Sequence, residues 1–302
     1  MNISKTGRKM SLLRSTVLVL LTLVIGGCAM PMRVSLTPEQ RAKITELKAR
    51  VVVVQDEVIV AVQPSNVGAA TGGGLIGAMI DSSITNSRVK ASQEVMGPFY
   101  ARIEDVDYRK EFNEAIRREL ANYPIKVAQF TTTPRALSQD SLAQLRGELL
   151  PGQALLVIYP RYYLTMDFRN LDVEATVSMW TKDGPANVPV QRGILYYQSQ
   201  PVGAGGKESI ALWGDQGAAA FRGAIKDSIV ETINLVLMDM DLKAPGDNAA
   251  PSQSYAFNAG AQQAQIKGRL VKETATRKTV LGDDKKLYSL PVIAGTVASA
   301  GQ

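Results

Sequence analysis

Acidic side chains are the residues of this chain whose type and spacing could support acid–base chemistry. They cluster in three groups: Glu104/Asp105/Asp107, Asp167/Asp172/Glu174 and Asp239/Asp241. Two carboxyl groups that face one cavity could act as general acid and general base on a glycosidic bond. Each group also has a structural interpretation: a helix cap, outward positions on a strand and the polar end of a helix, respectively. A carboxylate-based envelope glycan hydrolase therefore stays an alternative, and the protein that we expect is non-catalytic.

Histidine is absent from the 302 residues, and cysteine occurs once. The sequence therefore excludes Ser-His-Asp and Cys-His nucleophiles, zinc held by histidine and a disulfide within the chain. Ser87 and Lys90 match the Ser-x-x-Lys spacing of penicillin-recognising enzymes, but the Ser-Asp-Asn companion motif is missing. The only Lys-Thr-Gly begins at Lys5, in a segment that we expect to be removed. We predict no catalytic residue, no metal and no cofactor other than covalent lipid.

The amino-terminal segment carries positive charge followed by an apolar run. The first fourteen residues contain no acidic residue and four basic ones: Lys5, Arg8, Lys9 and Arg14. Residues 15–25, which follow, are uncharged and mostly apolar. A basic stretch, a short apolar core and then small residues are typical of a secretory signal peptide. The run is shorter than the roughly 20 residues of a membrane-spanning helix. We therefore expect residues 1–27 to be removed as a signal peptide.

The tetrapeptide Ile25-Gly26-Gly27-Cys28 resembles the lipobox of bacterial lipoproteins, which is an aliphatic residue, two small residues and cysteine. The resemblance implies cleavage between Gly27 and Cys28, diacylglycerol on the Cys28 thiol and an acyl chain on the new amino terminus. Ala29 stands where aspartate is the usual inner-membrane retention signal of Gram-negative lipoproteins. The resemblance therefore implies a palmitate-type anchor in the outer membrane, with the body facing the periplasm. A plain signal peptide and an uncleaved anchor are the alternatives.

Charge is unevenly distributed along the chain. Loss of residues 1–27 removes four positive charges and lowers the net charge from +6 to +2, so nucleic acid is not an expected partner. Residues 260–302 hold seven basic and three acidic side chains, a net charge of +4. This basic segment could contact peptidoglycan or lipopolysaccharide, or it could be a solvated tail.

Residues 67–80 carry no charge and are rich in small side chains. The segment resembles the glycine-zipper stretches of several envelope lipoproteins, through small residues that recur every four positions and let helices approach closely. The resemblance implies an interaction site with a membrane or a partner helix at Gly73, Gly74, Gly77 and Ala78. The alternative is a close-packed helix buried inside the fold. A nucleotide-binding loop is not expected, because no Gly-Lys-Ser/Thr follows.

Hydrophobic periodicity predicts an α/β (α+β) fold, a mixed sheet with helices packed on it in the order βαβα-βββ-α. The predicted elements are a helix that starts at Pro38 and includes Ala49, strands at 51–54, 58–62 and 125–130, helices at 105–120 and 138–147, strands at 154–168, 173–179 and 190–197, and a helix at 216–240. The apolar residues of this last helix share one face: Phe221, Ile225, Ile229, Ile233, Val236 and Met240. We expect this face to close the core against the sheet of residues 154–197.

The order of elements over residues 45–242 resembles the compact α/β periplasmic domains of curli-secretion, TolB amino-terminal and transport-auxiliary lipoproteins. The predicted organisation is a signal peptide (1–27), a lipidated tether with a short helix (28–50), an α/β periplasmic domain (51–243), a linker (244–265) and a small basic β-rich tail (266–302). The expected function is that of an outer-membrane lipoprotein that supports envelope assembly, secretion or transport by binding other envelope components, including a protein partner. The alternatives are the glycan hydrolase and a glycine-zipper surface antigen.

Overall fold

The computed structural model describes residues 32–61, 94–185, 188–241, 251–259 and 262–292. These residues belong to one compact unit that begins at Met32. The described helices are α1 (Pro38–Ala42), α2 (residues 94–100), α3 (Tyr108–Ala121), α4 (Gln139–Gly147) and α5 (Gly206–Asp241). The described strands are β1 (Glu46–Val52), β2 (Ile59–Val60), β3 (Lys126–Thr133), β4 (Gln153–Leu164), β5 (Leu171–Thr181), β6 (Gln191–Gln198), β7 (Gln253–Ala259), β8 (Gln262–Glu273), β9 (Arg277–Gly282) and β10 (Leu287–Pro291).

The strands form one mixed sheet in the order β3-β1-β4-β5-β6-β10-β9-β8-β7, and β2 pairs with the end of β4. β1 runs parallel to β3 and β4, and β10 runs parallel to β6. β2 also runs parallel to β4, and the other neighbouring pairs are antiparallel. This mixed sheet with packed helices confirms the predicted α/β class. None of the described helices is long and apolar enough to cross a membrane.

The first helix begins as predicted but ends earlier. The Thr37 hydroxyl accepts from the Gln40 amide at 3.2 Å, and the Gln40 side chain accepts from the Thr37 amide at 3.1 Å. These two bonds form a capping box. α1 ends at Ala42, so the predicted helical continuation to Ala49 is wrong.

Residues from Glu46 onward form the central strand β1 instead. Leu47, Ala49 and Val51 are buried in alternation with half-buried neighbours, which is the two-residue period of a strand. Because β1 has a strand on each side, its apolar face is buried more completely than one side of a short surface helix would be.

One face of the sheet packs against α3 and α5 to form the main core. α3 starts after Asp107, which caps it by accepting from the Lys110 amide at 2.9 Å, as the sequence predicted. The predicted face of α5 is buried against β5 and β6, and Ile229 is 4% exposed. The prediction that this face closes the core is therefore confirmed.

The opposite face carries two smaller clusters. α4 packs Leu142 and Leu145 near Leu155 and Trp180. Strands β7 to β10 cover the outer face of β6 with a second cluster, formed by Tyr196, Val280, Tyr288, Leu290, Tyr255, Phe257 and Ile266. The central strands are therefore covered on both faces, which explains why β5 buries residues that a half-buried strand would expose.

α5 is two helical segments joined by a sharp break. Asp215 has an extended backbone, and the next three residues have positive φ angles: Gln216 (49°), Gly217 (68°) and Ala218 (60°). The predicted helix over 216–240 is therefore correct after Ala218, while a preceding helical segment from Gly206 was not predicted. At the break, Trp213 and Phe221 meet edge to face with ring centroids 6.2 Å apart.

The predicted linker over 244–265 is wrong for the residues described there, because 253–259 and 262–265 belong to the antiparallel strands β7 and β8. The region beyond it is continuous with the main sheet, since β10 pairs with β6. The composition of this stretch misled the prediction: its Ala, Gln and Ser residues form an edge hairpin whose side chains are largely exposed.

Candidate functional site

The sequence-predicted lipidation, sorting and zipper residues lie outside the described residues. These residues are Gly27, Cys28, Ala29, Gly73, Gly74, Gly77 and Ala78, and the Ser87/Lys90 pair lies outside them as well. The structure describes neighbouring parts of the chain: the residues from Met32 onward, and the residues on either side of 62–93.

The amino-terminal segment is fastened to the fold immediately after Met32. Val34 pairs with Arg192 of β6 through two backbone hydrogen bonds of 2.9 and 2.8 Å. The Arg33 guanidinium forms an ion pair with Asp239 near the end of α5, and the Gln191 side chain donates to the same carboxylate. Arg33 and Val34 are therefore held by β6 and α5 together.

Asp239 is fully buried as a side chain, and Arg33 is 9% exposed. Burial raises the pKa of Asp239, and the Arg33 charge and the Gln191 amide act in the opposite direction. Gly193 makes this approach possible, because a Cβ at that position would overlap the Asp239 carboxylate. The predicted interpretation of Asp239 as part of a polar helix end is wrong, since its carboxylate points into the protein.

Asp241 does lie at the exposed end of α5. Arg41 of α1 forms an ion pair with it at 2.7 Å, and the Tyr123 hydroxyl donates to it at 2.8 Å. Arg41 also donates to the Met240 carbonyl at 3.0 Å. Asp241 therefore connects α1, the end of α3 and the end of α5, which is a structural role.

The group around Asp105 also has structural partners. Asp105 pairs with Arg222 of α5 at 2.6 Å, and this hydrogen bond is the main cause that lowers the pKa of Asp105. Asp107 is the cap of α3, and Glu104 is exposed. The predicted helix-cap interpretation is confirmed for Asp107.

Asp172 is buried on β5, so its predicted outward position is wrong. The Tyr196 hydroxyl donates to it at 2.5 Å and the Gln198 amide at 3.2 Å. Gln198 also donates to the Asn258 carbonyl at 2.7 Å and accepts from the Asn258 amide at 3.0 Å. This chain of hydrogen bonds joins β5 and β6 to β7.

Burial raises the pKa of Asp172 to about 7, although both hydrogen bonds favour the ionised form. Such a pKa would suit a general acid, but Asp172 is 4% exposed and Gln198 is fully buried. Glu174, two positions along β5, is held by Arg161 at 2.8 Å and Lys286 at 3.3 Å. Both carboxylates are therefore engaged by partners on β4, β6 and the segment before β10, and these contacts hold the described sheet together.

Asp167 completes this group in the turn between β4 and β5. Its carboxylate accepts from the Thr165 hydroxyl at 2.6 Å and from the Arg169 amide at 3.2 Å. Within the described part of the chain, no group of three or more acidic or cysteine side chains is arranged to hold a metal ion.

A pocket of about 680 Å³ lies between α2 and the first segment of α5. Its lining is mainly apolar, with Phe99, Ile210 and Gly214 at its base. Arg102 crosses it and donates to the Gly214 carbonyl at 2.6 Å. Glu94 is the one carboxylate among its described lining residues, and none of the acidic groups discussed above lies there.

No protein-family model matches the chain. A search of curated proteins likewise found no match. The candidate sites therefore stand on their geometry and on the sequence.

Sequence reasoning missed the Arg33–Asp239 pair, the Asp172 network and the role of Arg277 in the basic segment. Arg277 lies over the Tyr197 ring at 4.3 Å and donates to the Gln198 and Ser289 carbonyls at 2.7 Å each. All of these contacts join residues far apart in the sequence. One feature of the sequence could have indicated such a pair. Asp239 lies between Met238 and Met240, and a charged residue with apolar neighbours on both sides indicates a buried and paired group.

Proposed function

We propose that this protein is an outer-membrane lipoprotein that acts without catalysis, by binding other components of the bacterial envelope in assembly, secretion or transport. The observation that carries the proposal is the lipobox ending in Cys28, the chain's only cysteine. The described body begins four residues later, at Met32, so a lipid on Cys28 would sit next to a folded domain.

The fastening of Arg33 and Val34 supports a short connection to the membrane. Arg33 is five positions after Cys28, and an extended chain of that length spans at most roughly 18 Å. A lipid on Cys28 would therefore hold the body close to the bilayer, with the end of α5 facing it. Dual or triple acylation would make this attachment stable, whereas one chain alone binds a membrane marginally.

Described residues on either side of the glycine-rich segment lie at the other end of the body. Val58 and Tyr100, which flank it, are joined by a hydrogen bond of 2.9 Å beside the far end of β4. The α5 segment from residue 219 to Asp241, which runs between the two ends, is roughly 35 Å long. This separation favours partner binding for residues 67–80 over insertion into the membrane that would hold Cys28.

Three basic residues of the carboxyl-terminal segment have acidic partners inside the fold: Arg277, Lys278 and Lys286. Lys267, Lys272 and Lys285 are exposed and available to peptidoglycan or lipopolysaccharide. This contact is a secondary part of the proposal, because fewer charges are free than the composition suggests.

Cys28→Ser tests the proposal, because no other thiol can take the lipid. In a Gram-negative host, we expect the wild type to incorporate labelled palmitate and to sediment with outer membranes. The variant should incorporate none and should leave the outer-membrane fraction. Palmitate labelling that is equal in both proteins, or absent from the wild type, would overturn the lipoprotein assignment.

A further inference from the structure

The strand order of the sheet ends in two edge strands, and they differ in the hydrogen-bond partners of their backbone groups. At one edge, the Asn258 backbone of β7 is bonded in both directions by the Gln198 side chain. At the other edge, β3 pairs only with β1 among the described residues. β3 is therefore an edge strand whose outer side is unpaired among the described residues.

The backbone direction at β3 can be assigned from one hydrogen bond. The Val53 amide donates to the Thr133 carbonyl at 3.1 Å, so the peptide groups of Thr133 face β1. Successive residues of a strand direct these groups to opposite sides, so the amide and carbonyl of Thr132 point away from β1. Thr132 is also exposed, so a bound segment could reach it. An extended segment could hydrogen-bond there as an added strand.

A groove of about 480 Å³ lies beside this edge, between β3 and the end of α3. Its floor is apolar and includes Ala121, Val127 and Phe130. A strand added to β3 would place every second side chain over this floor, because strand side chains alternate between the two faces. The groove therefore supplies pockets for side chains next to open backbone groups.

The charge of the groove indicates which kind of segment could bind there. Arg117 and Lys126 line it, and no carboxylate does. Lys126 is paired with Glu46 of β1 at 3.1 Å, so Arg117 is the lining cation that a bound segment would meet. Arg117 lies 4.8 Å above the Phe130 ring and has no ion-pair partner among the described residues. A second copy of this chain, paired edge to edge about a two-fold axis, would bring the same cations together. Like charges at such a contact are unfavourable, so a segment of opposite charge fits better.

We propose that the β3 edge and this groove bind an extended, acidic segment of a partner protein by strand addition. Backbone hydrogen bonds at Thr132 would provide affinity, small apolar side chains would occupy the floor, and carboxylates would meet Arg117. The inference names the partner class for the proposed binding function. It does not depend on the lipid, so failure of one leaves the other testable.

The test is a fluorescence-anisotropy titration of the full chain in mild detergent. The probe is a labelled nine-residue peptide that alternates valine or threonine with glutamate. We expect saturable binding by this peptide and at least roughly tenfold weaker binding by a peptide with lysine in place of glutamate. N-methylation of alternate backbone amides should abolish binding, because it removes the donors that strand addition needs.

Matched variants locate the site. Arg117→Glu should weaken binding by roughly tenfold or more, whereas Arg118→Glu should leave it within about twofold. Arg118 is the neighbouring exposed cation, paired with Glu119 and outside the groove. Thr132→Pro should abolish binding while the thermal transition is retained, since proline is tolerated at outward positions of an edge strand.

Several outcomes would overturn the proposal. These are the absence of saturable binding, equal binding of the lysine peptide, and equal loss in the Arg117 and Arg118 variants. Peptide binding that appears only after deletion of residues 62–93 would show that the chain covers its own edge. A concentration-dependent dimer that is abolished by Thr132→Pro would assign the edge to a second copy instead.

Discussion

Two buried carboxylates, Asp239 and Asp172, show how residue-scale surroundings decide the role of a charge. Asp239 meets a cation, Arg33, so its ionised form is compensated inside the protein. Asp172 meets only neutral donors, the Tyr196 hydroxyl and the Gln198 amide, so burial dominates its titration. Burial raises the pKa of both carboxylates, and Asp239 differs in having a cation that opposes this shift.

Removal of Arg33 should destabilise the protein, because it leaves the Asp239 carboxylate buried without a cation. We expect Arg33→Ala to lower the free energy of unfolding by about 3–5 kcal/mol at pH 7. The control is Arg41→Ala, which breaks the more exposed pair with Asp241 and should cost about 1 kcal/mol or less. Urea denaturation of the three proteins measures the difference. Equal losses in the two variants would mean that the Arg33 pair is not buried in solution.

The raised pKa of Asp172 predicts an inverse dependence of stability on pH. The folded state holds the proton up to about pH 7, whereas the unfolded chain releases it near pH 4. The contribution of Asp172 is therefore fully present below about pH 4 and is lost as pH rises to about 7. Asp172→Asn, which mimics the protonated form, should gain stability relative to the wild type across that window, by roughly 4 kcal/mol at most.

Thermal unfolding of both proteins at pH 4, 5.5 and 7.5 checks this expectation, and the comparison cancels the titration of other groups. A difference in unfolding free energy that stays constant with pH would show that Asp172 titrates normally. A Tyr196→Phe variant serves as a second probe, because loss of its hydroxyl should raise the pKa of Asp172 further.

At the scale of elements, the break in α5 lets one stretch of chain cover two parts of the molecule. The segment before Gly214 packs beside α2, and the segment after Ala218 covers β5 and β6. Three successive residues in the left-handed region make the turn, and only one of them is glycine. Left-handed backbone is unfavourable for other residues, so packing of Trp213 and Phe221 must hold it.

Two glycines of α5 test the break, because the same substitution should have opposite effects. Gly217 has a φ of 68°, and an added Cβ would meet open space, so Gly217→Ala adds only backbone strain. We expect it to destabilise the protein by about 1 kcal/mol. Gly223 is helical and equally unobstructed, so Gly223→Ala should stabilise by about 1 kcal/mol. Stabilisation by both substitutions in chemical denaturation would mean that α5 is a continuous helix.

At the scale of the whole molecule, the described residues nearest to Cys28 and those nearest to the glycine-rich segment lie at opposite ends of one body. Arg33 is fixed beside the end of α5, while Val58 and Tyr100 meet beside the far end of β4. A protein held at one end presents the other end, and the β3 edge along its side, to partners. This arrangement fits a protein that binds components at a membrane surface.

One prediction at the scale of the whole molecule concerns its sorting between the inner and outer membranes. If Ala29 permits export to the outer membrane, Ala29→Asp should move the protein to the inner-membrane fraction of a density gradient in a Gram-negative host. Ala29→Ser is the control and should leave the distribution unchanged. An identical profile for all three proteins would show that sorting follows another signal.

The sequence by itself determined the local elements, because their causes are local. Capping residues such as Thr37 and Asp107, and the apolar stripe that includes Ile229, mark the ends and the buried faces of helices directly. The alternation along β5 likewise predicted which side of that strand faces the main core. The lipobox prediction also rests on adjacent residues, and it remains a prediction.

Only the tertiary structure decided what depends on residues far apart in the chain. The second layer over β6 buries Asp172, although an alternating strand pattern predicted a solvent-facing side chain. β10 pairs with β6 across almost one hundred positions, so a segment with a linker-like composition became part of the sheet. Arg33 and Asp239 are 206 positions apart, and β3 lies at an edge only because β1 pairs between β3 and β4. Burial and strand order are set by such long-range contacts, which local composition and periodicity do not encode.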